Sequence, residues 1–434
     1  MRASRSSTPS SRSATEPSAI KLEGSSRNHG EASDFVGIRA LQLRKLQSGM
    51  KDVLRTNAFW RERLHDVGGW DDFERLPLTT KSELVADQAS HPPFGTNLTY
   101  PLDQYVRLHQ TSGSSGDAPL RWLDTAESWE WWLRIWSNHV YRAAGVTSAD
   151  RVFFAFSFGP FIGFWSAFGG AQRLGAMCIS GGSMTTEQRV RNMLDLGATV
   201  LLSTPTYALR MADVADEIGV NLSAAGIRTT VHAGEPGASI PATRAAIEAA
   251  YSAVAYDHTG MTELGPTGFS CSARDGVHLI ESEFIFEVLP GGELVATNLG
   301  RWGSPLIRYR TGDRVELASE PCSCGSPFLK ILGGIHGRVD DMFTVRGVNL
   351  YPSQVEDIVR RYPEVIEFVI EHRRERQMDE VTLVVETSVE SFSSGRLEAD
   401  LRQALGVRLE CRVVSAGTLP RSDLKSRRIV RVIG

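Results

Sequence analysis

Apolar positions change their period along the chain. Over 35–67, Leu41, Leu43, Leu46, Val53, Leu54 and Phe59 recur mostly three and four residues apart, which predicts an amphipathic helix that Leu76-Pro77-Leu78 brings to an end. The stretch 122–140 holds Trp129, Trp131, Trp132 and Trp136 at helical spacing. A helix buried on more than one face accounts for these rings better than a ladder stacked on a ligand. Short apolar runs at 152–156, 176–179, 200–203 and 229–233 then alternate with helix-length segments, the pattern of a largely parallel sheet covered by helices. After Asp340 the character changes. Ser353-x-x-Glu356 reads as a capping box opening a short helix with Val355, Ile358 and Val359 on one side. Strands at 365–370 and 381–385, a helix at 397–405 and a strand at 408–414 complete a compact α+β unit. The expected fold class is α/β, with a large multi-sheet N-terminal domain over 35–338 and a small α+β C-terminal domain over 339–434.

Length and composition narrow the class. The chain has 434 residues with 41% apolar and 23% charged, enough for one large and one small domain or two to three of ordinary size, and unlike a disordered or disulfide-scaffold protein. A net charge of −4 supplies no basic field for nucleic acid. Five cysteines, two of them at Cys322 and Cys324, fit a reducing compartment, so the expected location is the cytoplasm. The apolar run 152–171 is long enough to span a bilayer but contains Pro160 and four glycines and lacks flanking anchors, so no membrane span is expected. Residues 1–34 are Ser-rich with Arg2, Arg5 and Arg12, no acid before Glu16 and no aromatic before Phe35, which reads as a disordered tail. An organelle transit peptide or a start codon placed too far upstream would have the same composition.

Candidate chemistry begins at Thr111-Ser112-Gly113-Ser114-Ser115-Gly116. Small hydroxyl residues interleaved with glycines let backbone N–H groups and hydroxyls close on phosphate oxygens. No Gly-Lys-Ser/Thr closes the run, so it is not the P-loop of NTPases, and alone it could be a plain flexible turn. A separate cluster is Cys271-x6-His278 with Cys322-x-Cys324. Three thiols and one imidazole are a complete tetrahedral set for a structural Zn2+, against incidental buried cysteines as the alternative. Cys178 and Cys411 lie in apolar runs and read as core residues.

Behind the Ser/Gly loop come Ala233-Gly234-Glu235-Pro236, Asp257-His258-Thr259-Gly260-Met261-Thr262-Glu263, Tyr309-Arg310-Thr311-Gly312-Asp313, Gly337-Arg338-Val339-Asp340-Asp341 and Leu419-Pro420-Arg421-Ser422-Asp423-Leu424-Lys425. Six motifs in this order resemble the core of the adenylate-forming superfamily of acyl-CoA ligases, on its phenylacetate–CoA ligase branch, over the chain from about residue 35 to the end. The resemblance implies an ATP- and Mg2+-dependent enzyme that joins a carboxylate to AMP, releases pyrophosphate and passes the acyl group to coenzyme A. It places the β- and γ-phosphates on residues 111–116, the α-phosphate at Thr262, Mg2+ at Glu263, and ribose at Asp313 with Arg338 on ribose or phosphate. Gly234, Glu235, Pro236, Asp257 and His258 would line the nucleotide.

By the same resemblance Lys425 bridges the carboxylate and the α-phosphate, and the C-terminal domain is mobile, turning between the half-reactions about Asp340. Phe158, Phe161, Gly260 and Met261 would line the acyl pocket, whose aromatic wall favours an aryl or arylacetic acid. The chain departs from the family in two places. Thr259 stands where an adenine-stacking aromatic is common, leaving Tyr256 or His258 to supply a ring, and Asp117 and Ala118 lengthen the phosphate loop before Pro119. The motifs do not identify the second nucleophile, so a carrier-protein thiol or an amine is the alternative acceptor to CoA. A silent nucleotide- or zinc-binding protein is opposed by the presence of Glu263, Asp313, Arg338 and Lys425. A homodimer is left open.

Overall fold

The computed structural model describes residues 31–111, 119–345, 348–375, 378–421 and 428–432. The expected tail therefore lies largely outside the described residues, as do residues 112–118 of the phosphate loop with Asp117 and Ala118, and Lys425. The first helix, Glu31–Thr56, begins four residues before the expected start and ends before Asn57, whose side chain accepts from Trp60 N and caps the next short helix.

An eight-stranded sheet forms the centre of the larger part. Its parallel portion runs through Met177–Ser180, Arg151–Phe154, Val200–Ser203, Thr229–His232 and Val254–Met261. The apolar run 152–171 is thus divided between the strand Arg151–Phe154 and the helix Ile162–Leu174. Val254–Met261 is the pivot of the sheet. Its first half pairs in parallel with Thr229–His232 and its second half antiparallel with Gly265–Phe269, so one strand belongs to both regimes. A four-stranded sheet, Phe284–Val288, Glu293–Asn298, Tyr309–Arg314 and Gly337–Arg338, flanks it.

The tryptophan-rich stretch departs from a continuous helix. Residues Arg121–Thr125 form a strand, Ala126–Ile135 an α-helix capped by Thr125, and Trp136–Tyr141 a π-helical turn. Trp122 is consumed by the strand, while Trp131, Trp132 and Trp136 are buried in the main core as expected of a helix enclosed on several faces.

In the C-terminal part a separate core of residues between Phe343 and Leu409 packs two helices on a four-stranded sheet ordered Glu410–Ser415, Met378–Thr387, Val365–Glu375, Ile429–Val432. The capping box expected at Ser353 is displaced. Tyr351 is the N-cap and Pro352 the first helical residue, with Gln354 Oε1 accepting from Tyr351 N at 2.9 Å. Ser353 Oγ instead donates to His336 O, and Glu356 turns inward to Arg428. Proline at the first helical position fits because its missing N–H needs no partner there. The parts meet where Asp357 Oδ1 accepts from Ala242 N at 3.2 Å in the first turn of Pro241–Tyr251. Among the described residues no helix is long and apolar enough to cross a membrane.

Candidate active site

The pivot strand Val254–Met261 and its following turn carry six of the expected site residues: Asp257, His258, Gly260, Met261, Thr262 and Glu263. Asp257 is buried and accepts from Ser239 Oγ, from Ser239 N at 3.1 Å and from His258 N at 3.0 Å. Burial pushes its carboxyl up to about 6, against the pull of these hydrogen bonds. Its role here is to tie the turn after Ala233-Gly234-Glu235-Pro236 to the sheet. His258 packs on Trp136 at 4.2 Å between ring centroids, and its Nδ1 meets Gly268 O at 2.7 Å. Burial drives its imidazole down to about 4, so it is neutral at pH 7. Gly260 is a close-approach glycine: a Cβ there would lie 2.9 Å from Gly265 O and 3.2 Å from His258 Nε2.

Thr262 and Glu263 sit in the hairpin turn, whose three carbonyls are all held from behind. Arg301 Nη1 donates to Thr262 O at 2.6 Å and to Glu263 O at 3.0 Å, and Asn298 Nδ2 donates to Leu264 O at 3.3 Å. The Glu263 carboxylate lies 3.8 Å from Lys81 Nζ, at the start of the helix Lys81–Ser90. Sequence reasoning did not single out Lys81. The signal was present in Thr80-x-x-Glu83, which forms a capping box and so sets Lys81 at the first helical position. Arg301, Asp124 and Asn298 were missed too, and no local pattern marks them.

Asp313 and Arg338 are brought together as neighbours on paired strands, with Arg338 Nη1 3.2 Å from Asp313 Oδ1 and 2.6 Å from Thr311 O. Gly312 at φ +71 lets the guanidinium pass, since a Cβ would meet Arg338 Nη2 at 2.6 Å. Tyr309 is buried, and burial first, then the charges of Glu263 and Asp313 against the opposing charge of Arg338, raise its phenol well above the ordinary value. A magnesium ion takes oxygen ligands from one or two carboxylates and from phosphates, so the turn-held Glu263 carboxylate is a fitting donor.

The residues on either side of the expected phosphate loop pair as a hairpin. Thr111 N donates to Leu120 O at 3.0 Å and Thr111 Oγ1 accepts from Leu120 N at 3.0 Å. Gln110 N donates to Pro160 O at 2.9 Å, linking the hairpin to the segment expected to line the acyl group. There Phe158 is half-buried between Phe156, Trp165 and Phe168, with Phe161 half-buried beside Gly159. Met261 is half-buried against the core that also receives Phe158. Glu235 Oε1 accepts from Thr206 N at 2.9 Å in the first turn of Pro205–Glu217, where a carboxylate complements the helix dipole. Arg428 reaches across from the C-terminal part to Thr206 Oγ1 at 3.4 Å. Asp340 lies in the short 3-10 turn Val339–Asp341 between the two parts.

Apart from this cleft, Cys271, His278, Cys322 and Cys324 converge with all four ligand atoms within 4.8 Å of one another. Cys271 Sγ and Cys322 Sγ are 3.5 Å apart, and Cys324 Sγ is 3.3 Å from His278 Nε2. His278 Nδ1 meets Phe328 O at 3.1 Å, which fixes the tautomer that turns the Nε2 lone pair to the sulfurs. Ala273 N and Ser326 N donate to Cys271 and Cys324 Sγ at 3.4 Å each. The donor set and spacing fit one tetrahedral Zn2+. Cys178 and Cys411 are half-buried beside the cores, as expected.

Residues 347–431 match the family model of the AMP-binding enzyme C-terminal domain. The phenylacetate–coenzyme A ligase of Thermus thermophilus is 30% identical over 432 residues, covering 89% of this chain and 94% of its own. Among solved structures, 2-hydroxyisobutyryl-CoA ligase in the postadenylation state with its acyl-AMP superposes with a TM-score of 0.83 at 27% identity, covering 90% of this chain and 89% of that one. The same ligase with acyl-AMP and CoA in the thioesterification state gives 0.67 at 28% identity, with 92% and 90% covered.

Proposed function

Because the chain belongs to the phenylacetate–coenzyme A ligase family of adenylate-forming enzymes, and is an AMP-forming acid–CoA ligase, we propose that its substrate is an aryl or arylacetic acid activated on the cleft described above. A carboxylate oxygen attacks the α-phosphorus of ATP and pyrophosphate leaves. The CoA sulfur then attacks the acyl carbon of the mixed anhydride and AMP leaves. Two anions must meet in the first step, so cations and oriented N–H donors have to offset their repulsion.

In this reading Glu263 holds Mg2+, which neutralises phosphate charge when bound. Thr262 faces the α-phosphate, and residues 111–116 cradle the outer phosphates. Asp313, acceptor-only when ionised, takes the ribose hydroxyls, with Arg338 released from it to ribose or phosphate. Lys425 supplies the bridging cation. Tyr256 or the neutral ring of His258 borders the nucleotide with Gly234, Glu235 and Pro236, and Asp257 holds that border in place. Phe158, Phe161, Gly260 and Met261 enclose the acyl group.

The division into domains at 35–338 and 339–434, with Asp340 as hinge, is supported by the separate core that begins at Phe343. The better superposition on the postadenylation state supports a C-terminal domain lying in the adenylation-side orientation. The four-residue Cys/His set holds a structural Zn2+, and none of the five cysteines is in a disulfide, in keeping with a cytoplasmic enzyme. CoA is the acceptor in preference to a carrier-protein thiol or an amine.

The observation that carries the reading is the Asp313–Arg338 pair on adjacent strands together with the Glu263 turn held by Arg301. The test is acid-dependent pyrophosphate release screened over aryl, arylacetic, aminobenzoic, short aliphatic and amino acids, with the acceptor product identified by mass. Aryl or arylacetyl-CoA is expected. Release without a CoA thioester from any activated acid would overturn the assignment of the acceptor.

A further inference from the structure

We propose that Arg301 is a positioning residue for adenylation: a buried guanidinium that locks the Thr262 and Glu263 turn to the strand returning from the phosphate-loop hairpin. The inference rests on the ligase reading above and deepens it.

Arg301 is 0% exposed. Its Nε and Nη2 each donate at 2.7 Å to the two oxygens of Asp124, itself 0% exposed, while Nη1 spans the carbonyls of Thr262 and Glu263. The guanidinium carbon lies 5.2 and 5.1 Å from the ring centroids of Trp122 and Trp132, which fix the plane of the fork. Asp124 belongs to the strand Arg121–Thr125, which pairs with Tyr105–Gln110, the two strands that lead into and out of the sequence 111–120 proposed to hold the phosphates. One planar group thus connects the base of that loop to the turn bearing the Mg2+ donor. Two consecutive carbonyls of a turn converge on Nη1, which holds the peptide planes and hence the directions in which the Thr262 and Glu263 side chains leave the backbone.

Stability alone does not account for this arrangement. A buried ion pair gains little over apolar side chains of the same volume, because desolvation offsets the Coulomb attraction. His109, the other polar neighbour, has Nδ1 3.9 Å from Asp124 Oδ2 but is kept neutral by burial and by the charges of Arg301 and Arg107, so the carboxylate is left to Arg301. A lysine has one point-like ammonium and cannot reproduce a fork that holds a carboxylate and two carbonyls together.

The test is Arg301→Lys assayed in both half-reactions: acid-dependent pyrophosphate release, and thioester formation from supplied acyl-adenylate and CoA. A displacement of about 1 Å at reacting groups can cost about 10²-fold. The expected result is a loss of that order in pyrophosphate release with a raised KM for MgATP, and a thioester step changed far less. Asp124→Asn, which keeps the volume and removes the charge that aims the fork, should show the same split in smaller measure and carries the test if the lysine variant does not fold. Equal losses in both half-reactions, or no loss in either, would overturn the proposal. Absence of pyrophosphate release in the unsubstituted enzyme with every acid would instead sink the ligase reading itself.

Discussion

Glu367 and Glu386 stand directly opposite each other on the paired strands Val365–Glu375 and Met378–Thr387, and each is held by an arginine from one end of the same segment. Glu386 accepts from Gly417 N at 2.9 Å, from Leu419 N at 2.7 Å and from both terminal nitrogens of Arg421. Glu367 accepts from Arg428, which also pairs with Glu356 at 3.0 Å and lies over the Phe368 ring. Like charges directly opposite on a sheet repel, so the two arginines are what make the pair tolerable. They bracket residues 422–427, the segment to which Lys425 belongs.

Glu386→Ala would leave Arg421 and two backbone N–H groups without their acceptor. Glu386 is buried but Arg421 is exposed, so water can take over part of what the arginine loses, and a loss of about 1–3 kcal/mol, the cost of unsatisfied donors, is expected in the denaturant unfolding of the C-terminal unit. Burial opposes ionisation of Glu386, but Arg421 and the backbone donors outweigh it and hold the carboxyl below its ordinary value. This contribution is present above the ordinary glutamate range and is lost as pH falls through the lowered value. A loss below about 1 kcal/mol would show the anchor to be dispensable.

Lys425→Ala is expected to cut acid-dependent pyrophosphate release by about 10²- to 10³-fold, the scale of a lost oxyanion donor. ATP binding, followed by calorimetry, should be largely kept if the lysine acts, as proposed, where the carboxylate meets the α-phosphate. Undiminished release would remove Lys425 from the chemistry.

Much of the architecture was legible because periodicity reports burial directly. The run 200–203 is the strand Val200–Ser203, and the helix expected at 397–405 is Ser394–Leu405. The tryptophan stretch misled because Trp122 lies in a strand buried on both faces until Thr125 caps the helix, a change of element inside one aromatic-rich window. Ser353 misled for a related reason: Pro352 fixes the first helical position one residue earlier, so Ser353 is inside the helix. At the site, Asp313 and Arg338 could be picked by motif, but that they form an ion pair depends on strand pairing across 25 positions. Arg301 is further from legibility, since its partners Asp124 and Glu263 are joined only by the tertiary fold.

Removal of zinc should loosen the region around Cys271 and Cys322 without touching the cleft directly. Metal analysis is expected to give one Zn2+ per chain, lost on treatment with a strong chelator or in Cys322→Ser. If the site contributes about 3 kcal/mol, its loss would lower the thermal midpoint by about 3–5 °C in a protein of this size. Fully active, equally stable protein with no bound zinc would reduce the cluster to neighbouring thiols.

Acid should destabilise the enzyme well above the carboxylate range. His109, His232 and His258 are buried, and burial drives each imidazole down to about 4, with Arg301 and Arg107 adding to the effect at His109. In the unfolded chain these groups take up protons near 6.5, so between about 6.5 and 4 the unfolded state binds more protons and stability falls as pH falls. Asp257 acts in the opposite sense. Its folded carboxyl, raised to about 6, binds a proton that the unfolded chain does not take until near 3.9, so it adds stability over much of the same interval. His139 and His278, also lowered by burial, act with these three, and Asp213, raised by burial, acts with Asp257; the lowered histidines outnumber the raised carboxyls, which predicts a net loss, seen as a falling urea midpoint from pH about 7 to pH about 5. Asp257→Asn removes the opposing group, so the fall should become steeper in that variant. A midpoint that stays level or rises on acidification, in either protein, would contradict the assignment of these histidines as neutral in the fold.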